Sequence, residues 1–425
     1  MPSSTAVRLR GLLETLLRAP LPVRLRAWDG SETGPAGPPV LIIRNRRALR
    51  RLMWRPDELG LARAYVSGDL DVEGDLFDAL RRLAALIFRG ADVRGLPYRA
   101  VAADLLRLGV LGPQPKPPPE ELAMRGARHS PRRDQQAVSH HYDVGNPFYE
   151  IILGSSMVYS CAYWAGDDAG SGLAGAQRDK LDLICRKLDL KPGMRLLDVG
   201  CGWGSLALHA AREYGVDVVG ITLSIEQADY ARKQVAEAGL TAHVEIRVQD
   251  YRDLDGGPFD AISSVGMAEH VGTAPYAEYA AILFEQLKPG GRLLNHQISA
   301  VHPAPPAARR RRSFIDAYVF PDGELVPLGT TVTLLEQAGF EVRDVQALRE
   351  HYARTLRAWV ANLESQWSAA VRLAGAGRAR VWRLYMAASA LGFEQARIGV
   401  NQVLCVKAHR DGGSDMPATR SGWPA

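Results

Sequence analysis

Cysteine is scarce: there are four in 425 residues (Cys161, Cys185, Cys201 and Cys405), and no two of them have metal-ligand spacing. That excludes a disulfide framework and makes a structural zinc site a poor reading; it fits a reducing compartment. Long apolar runs are missing as well. No stretch reaches the roughly 18 to 20 residues that a membrane-spanning helix needs, and the N-terminus lacks the compact apolar segment of a secretory signal. The expectation is a cytoplasmic chain. No internal repeat is present, and no helix-turn-helix, zinc or aromatic ribonucleoprotein pattern accompanies the basic residues, which disfavours nucleic acid as a partner.

What is present is a globular composition, 47% hydrophobic and 23% charged, in a chain long enough for two or three domains. The net charge of +5 is too small to imply a partner, but it is unevenly placed. Residues 1–134 hold 23 basic and 15 acidic residues, whereas the remainder hold 29 and 32. From Val7, the residues Leu9, Leu12, Leu13, Leu16 and Leu17 recur at helical spacing with Arg8, Arg10 and Arg18 opposite. Such a helix either docks on its own domain or lies in an anionic lipid surface. A second basic run, Arg44, Arg46, Arg47, Arg50, Arg51 and Arg55 around Trp54, is either a solvated face or a lipid contact. The prolines of Gly112–Pro119 favour stiff extended backbone, so a linker is placed at 112–134. It separates an N-terminal domain (1–111) from a catalytic domain (135–410), with a disordered tail (411–425).

The catalytic domain alternates strands and helices. A strand at 194–199 runs into Gly200, Gly202 and Gly204 and then a helix from about Ser205 to Tyr214. Alternate glycines at a strand-to-helix turn let a ligand approach the backbone. Gly202, Gly204 and Ala207 also satisfy a dinucleotide pattern, but the next strand (216–221) ends in Thr222-Leu223-Ser224 and not in a ribose-binding acid. Further strands are expected at 244–248, 259–265, 292–298, 341–347 and 402–407, with a tight turn over Leu287–Gly291 before the 292–298 strand. A seven-stranded α/β sheet of this kind, with a smaller N-terminal α/β domain and helical substrate-binding insertions, resembles a class I S-adenosylmethionine-dependent methyltransferase, a Rossmann-like fold.

Upstream lie His140-His141-Tyr142-Asp143-Val144-Gly145-Asn146-Pro147-Phe148-Tyr149 and Met157–Trp164. With Gly200–Gly204, Ile221–Gln227, Ser264–Gly272 and Tyr318–Pro321, these ordered motifs resemble cyclopropane-fatty-acyl-phospholipid synthases over roughly residues 135–408; Ala64–Asp69 resembles the family more loosely. The resemblance implies transfer of a methylene from S-adenosylmethionine onto the cis double bond of an unsaturated phospholipid acyl chain. A bound bicarbonate would deprotonate the new methyl group so that the ring closes. It implies an anion site at Cys161 (through its backbone), Glu269, His296, Tyr318 and Ile298 (through its main chain). The cofactor would meet Tyr159, Ser160, Gly200, Gly202, Gly204, Thr222 and Gln227, with Asp250 and Tyr251 near the adenine. Tyr142, Tyr163, Trp164, Tyr318 and Phe320 are candidates to face the developing cation.

The chain departs from the family pattern in three positions: Ser389 stands where many members carry a late-helix cysteine, and Asn295 and Gln297 stand where apolar residues are expected. The stripes Leu356, Trp359, Val360, Leu363, Trp367 and Val381, Leu384, Tyr385, Ala388 are core candidates, and also candidates for an acyl slot. Arg309–Arg312 reads as a solvated cluster or a headgroup contact. The partner implied is an anionic membrane surface, bound peripherally at the inner face, with a possible homodimer. The alternatives are a methyl- or methylene-branching fatty acid methyltransferase, one acting on acyl groups of a carrier protein, an idle lipid-binding homologue, and a nucleic-acid methyltransferase. The last is disfavoured because no Asn/Asp-Pro-Pro-Tyr/Phe motif is present.

Overall fold

The structure, a computed structural model, describes residues 4–89, 98–122, 133, 144–166, 172–302 and 312–419. The chain divides into two compact units. The first comprises Met1–Ala123, Arg311–Pro321 and Ser368–Leu391; the second comprises Met124–Arg310, Asp322–Trp367 and Gly392–Ala425. Two segments that sequence spacing placed in the catalytic region, 311–321 and 368–391, therefore belong to the first unit. Tyr142, Arg309–Arg311 and most of the 123–134 stretch lie outside the described residues.

In the first unit, β1 (Arg24–Arg26), β2 (Glu32–Thr33), β3 (Val40–Ile43) and β4 (Leu70–Glu73) form a sheet ordered β2-β1-β3-β4. The helix Thr5–Leu17 buries Ala6, Leu9 and Leu12 in this unit's core, and Arg10 donates to the carbonyls of Leu21 (2.6 Å) and Val23 (3.2 Å). It is a docked helix, not a lipid-facing one. The second basic run makes its ion pairs and hydrogen bonds within this unit, with Arg44, Arg46 and Arg47 still exposed. Arg44 pairs with Asp71, Arg47 and Arg51 with Asp69, and Arg55 with Asp57; Arg50 donates to the Val110 carbonyl, and Arg46 lies over the Trp28 ring. Asp69, the last residue of the Ala64–Asp69 motif, is 1% exposed and also accepts from Asn45 and Ser67. The proline segment is fastened too, since Arg51 donates to the Lys116 carbonyl and Trp54 to that of Gly112. Leu384 of the second apolar stripe packs on this core, while Ala388 is exposed.

The second unit holds β5 (Arg195–Val199), β6 (Asp217–Thr222), β7 (Val244–Val248), β8 (Phe259–Val265), β9 (Leu287–Ala300), β10 (Glu341–Ala347) and β11 (Ile398–Val406). They are ordered β10-β11-β9-β8-β5-β6-β7, parallel except for β11, which runs antiparallel to both neighbours. The expected turn at Leu287–Gly291 is absorbed into β9 as an irregularity: Phe259 pairs with Leu287, but Ala261 pairs with Arg292. Side chains alternate across the sheet. Leu196, Val218 and Leu294 pack under the helices Gly172–Lys187 and Ser205–Tyr214, while Leu197, Val219 and Leu293 pack against Tyr276–Gln286 and Leu328–Gln337. Residues 411–419, expected to be disordered, are tied down: Asp415 accepts from His409 (2.6 Å), its carbonyl accepts from Arg292, and Ser414 accepts from Arg343.

The Arg51–Asp69 pair yields a stability test. Arg51→Ala takes the buried guanidinium from a carboxylate that keeps Arg47, Asn45 and Ser67, and should lower the unfolding free energy by about 2 kcal/mol, the worth of a hydrogen bond to a charged group. Arg47→Ala, on the same carboxylate but with a side chain 64% exposed, should cost under about 1 kcal/mol. Urea unfolding of both variants checks the ordering.

Candidate active site

In an open sheet, ligands sit beyond the carboxyl ends of the strands where the order reverses, here between β5 and β8. β5 ends in the glycine loop. Gly200, Gly202 and Gly204 have φ of +78°, +55° and +82°, a region that L side chains rarely adopt. The N–H groups of Gly200 and Cys201 both donate to the Ile221 carbonyl, which anchors the loop to β6. A Cβ on Gly204 would stand 2.9 Å from that of Ala231, whereas one on Gly202 would meet only the Gln227 amide nitrogen at 4.0 Å. The loop is thus closed by a helix on one side and open toward Gln227 on the other, a cradle that fits S-adenosylmethionine.

Thr222 donates to Gln227 Oε1 (2.9 Å), and Ser224 caps the helix Ile225–Glu237 by accepting from the Gln227 N–H, so both residues are held at the end of β6. Asp250 is engaged by its own turn, accepting from the Arg252 backbone N–H (2.9 Å) and guanidinium (2.8 Å). The Tyr251 ring is buried edge-on against Tyr279 and covered by Arg252. Tyr159 packs 5.5 Å from Trp359, and Ser160 is 8% exposed.

The anion-site candidates divide. Glu269 stands just beyond β8, and its Oε1 accepts from the Ile298 N–H at 2.7 Å. Among the described residues its Oε2 is buried without a partner, and so is His296 Nε2, two residues from Ile298 along β9. Burial raises the Glu269 carboxyl to about 7, against two backbone N–H groups that favour ionisation. Burial, followed by the charges of Lys180 and Lys187, lowers the His296 imidazole to about 3. Gln402, opposite His296 on β11, places its amide nitrogen 3.3 Å from Nδ1. With that amide donating, the neutral ring carries its proton on the unpartnered Nε2.

Cys161 reaches the same neighbourhood. Its thiol contacts the carbonyls of Ala162 and Leu348, and the Leu348 N–H bonds Val400, which pairs with Ile298. Burial pushes the thiol far above its usual range, so it is no nucleophile. Ile298, expected at the anion through its main chain, donates its N–H to Glu269 and orients that carboxyl. Tyr318 belongs to the first unit, where its hydroxyl donates to Glu121 (3.3 Å), itself clamped by Arg63. The cation-facing aromatics also have prior engagements. Arg354 lies over Trp164, Tyr163 stacks on His351, and Phe320 meets Tyr385 edge-on.

Asn295 and Gln297 sit on the opposite face of β9, in a buried network with Tyr276 and Thr331. They leave His296 undisturbed, because successive residues of a strand face opposite sides. Sequence reasoning missed Gln177 and Lys180, two buried polar residues on the otherwise apolar inner stripe of Gly172–Lys187. Their spacing of three on that stripe was the available signal.

Strand order, glycine cradle and ligand-side residues define a class I S-adenosylmethionine-dependent methyltransferase. Residues 129–403 match the family described as mycolic acid cyclopropane synthetase. The chain is 43% identical over 404 residues to the "Probable fatty acid methyltransferase" of Pseudomonas putida, covering 94% of this chain and 95% of that one. It is 36% identical over 314 residues to the cyclopropane-fatty-acyl-phospholipid synthase of Escherichia coli (strain K12), covering 73% and 79%. The solved structure of mycolic acid cyclopropane synthase CmaA1 complexed with SAH and CTAB aligns with a TM-score of 0.60 at 34% identity, over 64% of this chain and 97% of that one. The chain belongs to the cyclopropane synthase family of lipid methyltransferases, with S-adenosylmethionine as methyl donor.

The Glu269 environment predicts a pH-dependent stability. Because its folded value of about 7 exceeds the 4.5 of a free glutamate, the folded chain holds a proton that the unfolded chain releases between those values. Its contribution is therefore present at low pH and lost as pH rises through 7. Glu269→Gln, which mimics the neutral form, should raise unfolding stability at pH 8 by about 1 to 3 kcal/mol and give no gain at pH 4. Denaturant titrations at the two pH values decide it.

Proposed function

We propose that this enzyme is a cyclopropane-fatty-acyl-phospholipid synthase, adding a methylene across the cis double bond of an unsaturated phospholipid acyl chain. One observation carries this reading: Glu269 Oε2 and His296 Nε2 are buried and, among the described residues, have no partner. A buried carboxyl oxygen that accepts and a buried imidazole N–H that donates are the two kinds of group a bicarbonate would need, its hydroxyl donating to the first while its other oxygens accept from the second. Held there by Glu269 and His296, bicarbonate would supply a base for the new methyl group where no ordinary side chain offers one. Ile298 orients Glu269 through its N–H, and Gln402 holds the tautomer of His296. Cys161 takes part through its backbone only, and Tyr318 carries no step.

A second reading, a fatty acid methyltransferase that forms methyl- or methylene-branched chains, is favoured by the higher identity to the Pseudomonas putida relative. Incubation with S-adenosylmethionine and liposomes of unsaturated phospholipid, followed by mass spectrometry of the fatty acid methyl esters, separates the two. A cyclopropane product is expected, and Glu269→Gln should reduce it at least a hundredfold while S-adenosylhomocysteine still binds. A branched or methylene product without any ring would overturn the first reading.

Contact with the lipid is peripheral in this proposal. The internal pairing of the arginines leaves apolar anchors as its support: Trp54 is 55% and Leu111 49% exposed, and the Trp54 indole N–H bonds the carbonyl of Gly112, next to Leu111. Exposed Trp and Leu side by side suit the headgroup boundary. Trp54→Glu should cut the vesicle-bound fraction severalfold in co-sedimentation with anionic liposomes.

A further inference from the structure

The stretch Val158–Ser160 carries two cofactor candidates and leads into Cys161, yet it forms no helix or strand. It follows Met157, a non-glycine residue at φ +48°. Irregular backbone of this kind needs an external scaffold to keep one shape. The helix Gly172–Lys187 provides one. Gln177, fully buried, donates through Nε2 to the carbonyls of Ser160 (2.9 Å) and Val158 (3.4 Å). One turn later Lys180, 2% exposed, donates through Nζ to Ser160 Oγ (2.9 Å).

Lys180 is unusual in what it lacks. An ammonium has three protons to donate, but among the described residues this one has a single neutral acceptor and no carboxylate within ion-pair distance. A buried cation so poorly compensated costs stability, and a methionine of similar size would pack there without that cost. Alternation of the strands puts Asp198, at the entrance to the glycine loop, and His296 on the sheet face covered by this same helix. The charged and titratable groups around Lys180 are Cys161 on the irregular stretch, Cys185 on its own helix, Asp198 on β5, His296 on β9 and His209 on the helix Ser205–Tyr214.

We propose that Gln177 and Lys180 are positioning residues: from one helix face they hold Val158–Ser160 in the shape that presents Tyr159, Ser160 and Cys161 to their ligands, and the Lys180 ammonium supplies the fixed positive charge beneath the glycine loop. The proposal rests on the assignment of that loop and stretch to the methyl donor. Burial also lowers the Lys180 ammonium to about 8, so the charge fades at alkaline pH.

The test compares Lys180→Met, Lys180→Arg and Gln177→Leu with wild type by melting temperature, by S-adenosylhomocysteine titration calorimetry from pH 6 to 10, and by kcat and KM on the liposome assay. Lys180→Met should melt at or above the wild-type temperature while binding S-adenosylhomocysteine at least tenfold more weakly, with no pH dependence near 8. Lys180→Arg should recover part of the affinity and keep it above pH 8, where the wild type loses it. Gln177→Leu should weaken binding severalfold. A Lys180→Met protein that binds within twofold of wild type, or that loses affinity only together with its melting temperature, overturns the proposal. Should that variant fail to fold, wild-type affinity in Gln177→Leu overturns it. Calorimetry needs no lipid, so a wild type that binds S-adenosylhomocysteine in this pattern but makes no lipid product refutes the functional reading alone.

Discussion

A carboxyl group buried beyond β8 with no cation beside it sets the terms for the catalytic unit. Glu269 is held by backbone N–H groups alone, and these do not offset its desolvation. The catalytic unit therefore keeps a carboxyl poised near neutrality, and an imidazole that burial has made a poor base. Among the described residues neither Glu269 Oε2 nor His296 Nε2 has a partner. Two buried polar atoms without partners are a standing cost to the fold, and they are also what a small hydrogen-bonding anion would relieve. The polar residues around them follow from that demand: Gln402 fixes the ring, Ile298 fixes the carboxyl, and the Asn295–Gln297–Tyr276 network satisfies the far face of the same strand.

The same economy governs the first unit in reverse. Its basic run looks like a surface device when read along the chain, but Asp57, Asp69 and Asp71 pair with four of the run's six arginines. Asp69 and Asp71 between them engage Arg44, Arg47, Arg51 and Arg380. Charge count was a poor guide here because the partners are brought together by the β3–β4 pairing, which no local pattern encodes. Trp54 and Leu111 stay exposed, as do the paired Arg44 and Arg47.

The catalytic sheet was legible almost strand by strand, since parallel strands buried on both faces read as short apolar runs between helical segments. Missed were its irregularities: the 287–291 turn swallowed by β9, and the allotment of 311–321 and 368–391 to the other unit. Of the site, the glycine loop, Thr222, Gln227, Glu269 and His296 were readable because each sits at a strand end or in an ordered motif. Gln177 and Lys180 were not, because polar residues on a helix read as solvated until a neighbouring segment is seen to cover them.

Sequence alone determined the family, the α/β class and the methyl donor, because those depend on residue type at fixed spacing along single elements. Only the tertiary structure decided which groups lack partners. That assigns the unmatched acceptor to Glu269 and the unmatched donor to His296, spends the Ile298 N–H on the carboxyl, sends the Tyr318 hydroxyl to Glu121, and isolates the Lys180 ammonium. Hydrogen-bond satisfaction is a property of what surrounds an atom in space, and the groups that surround these atoms come from segments far apart in the chain.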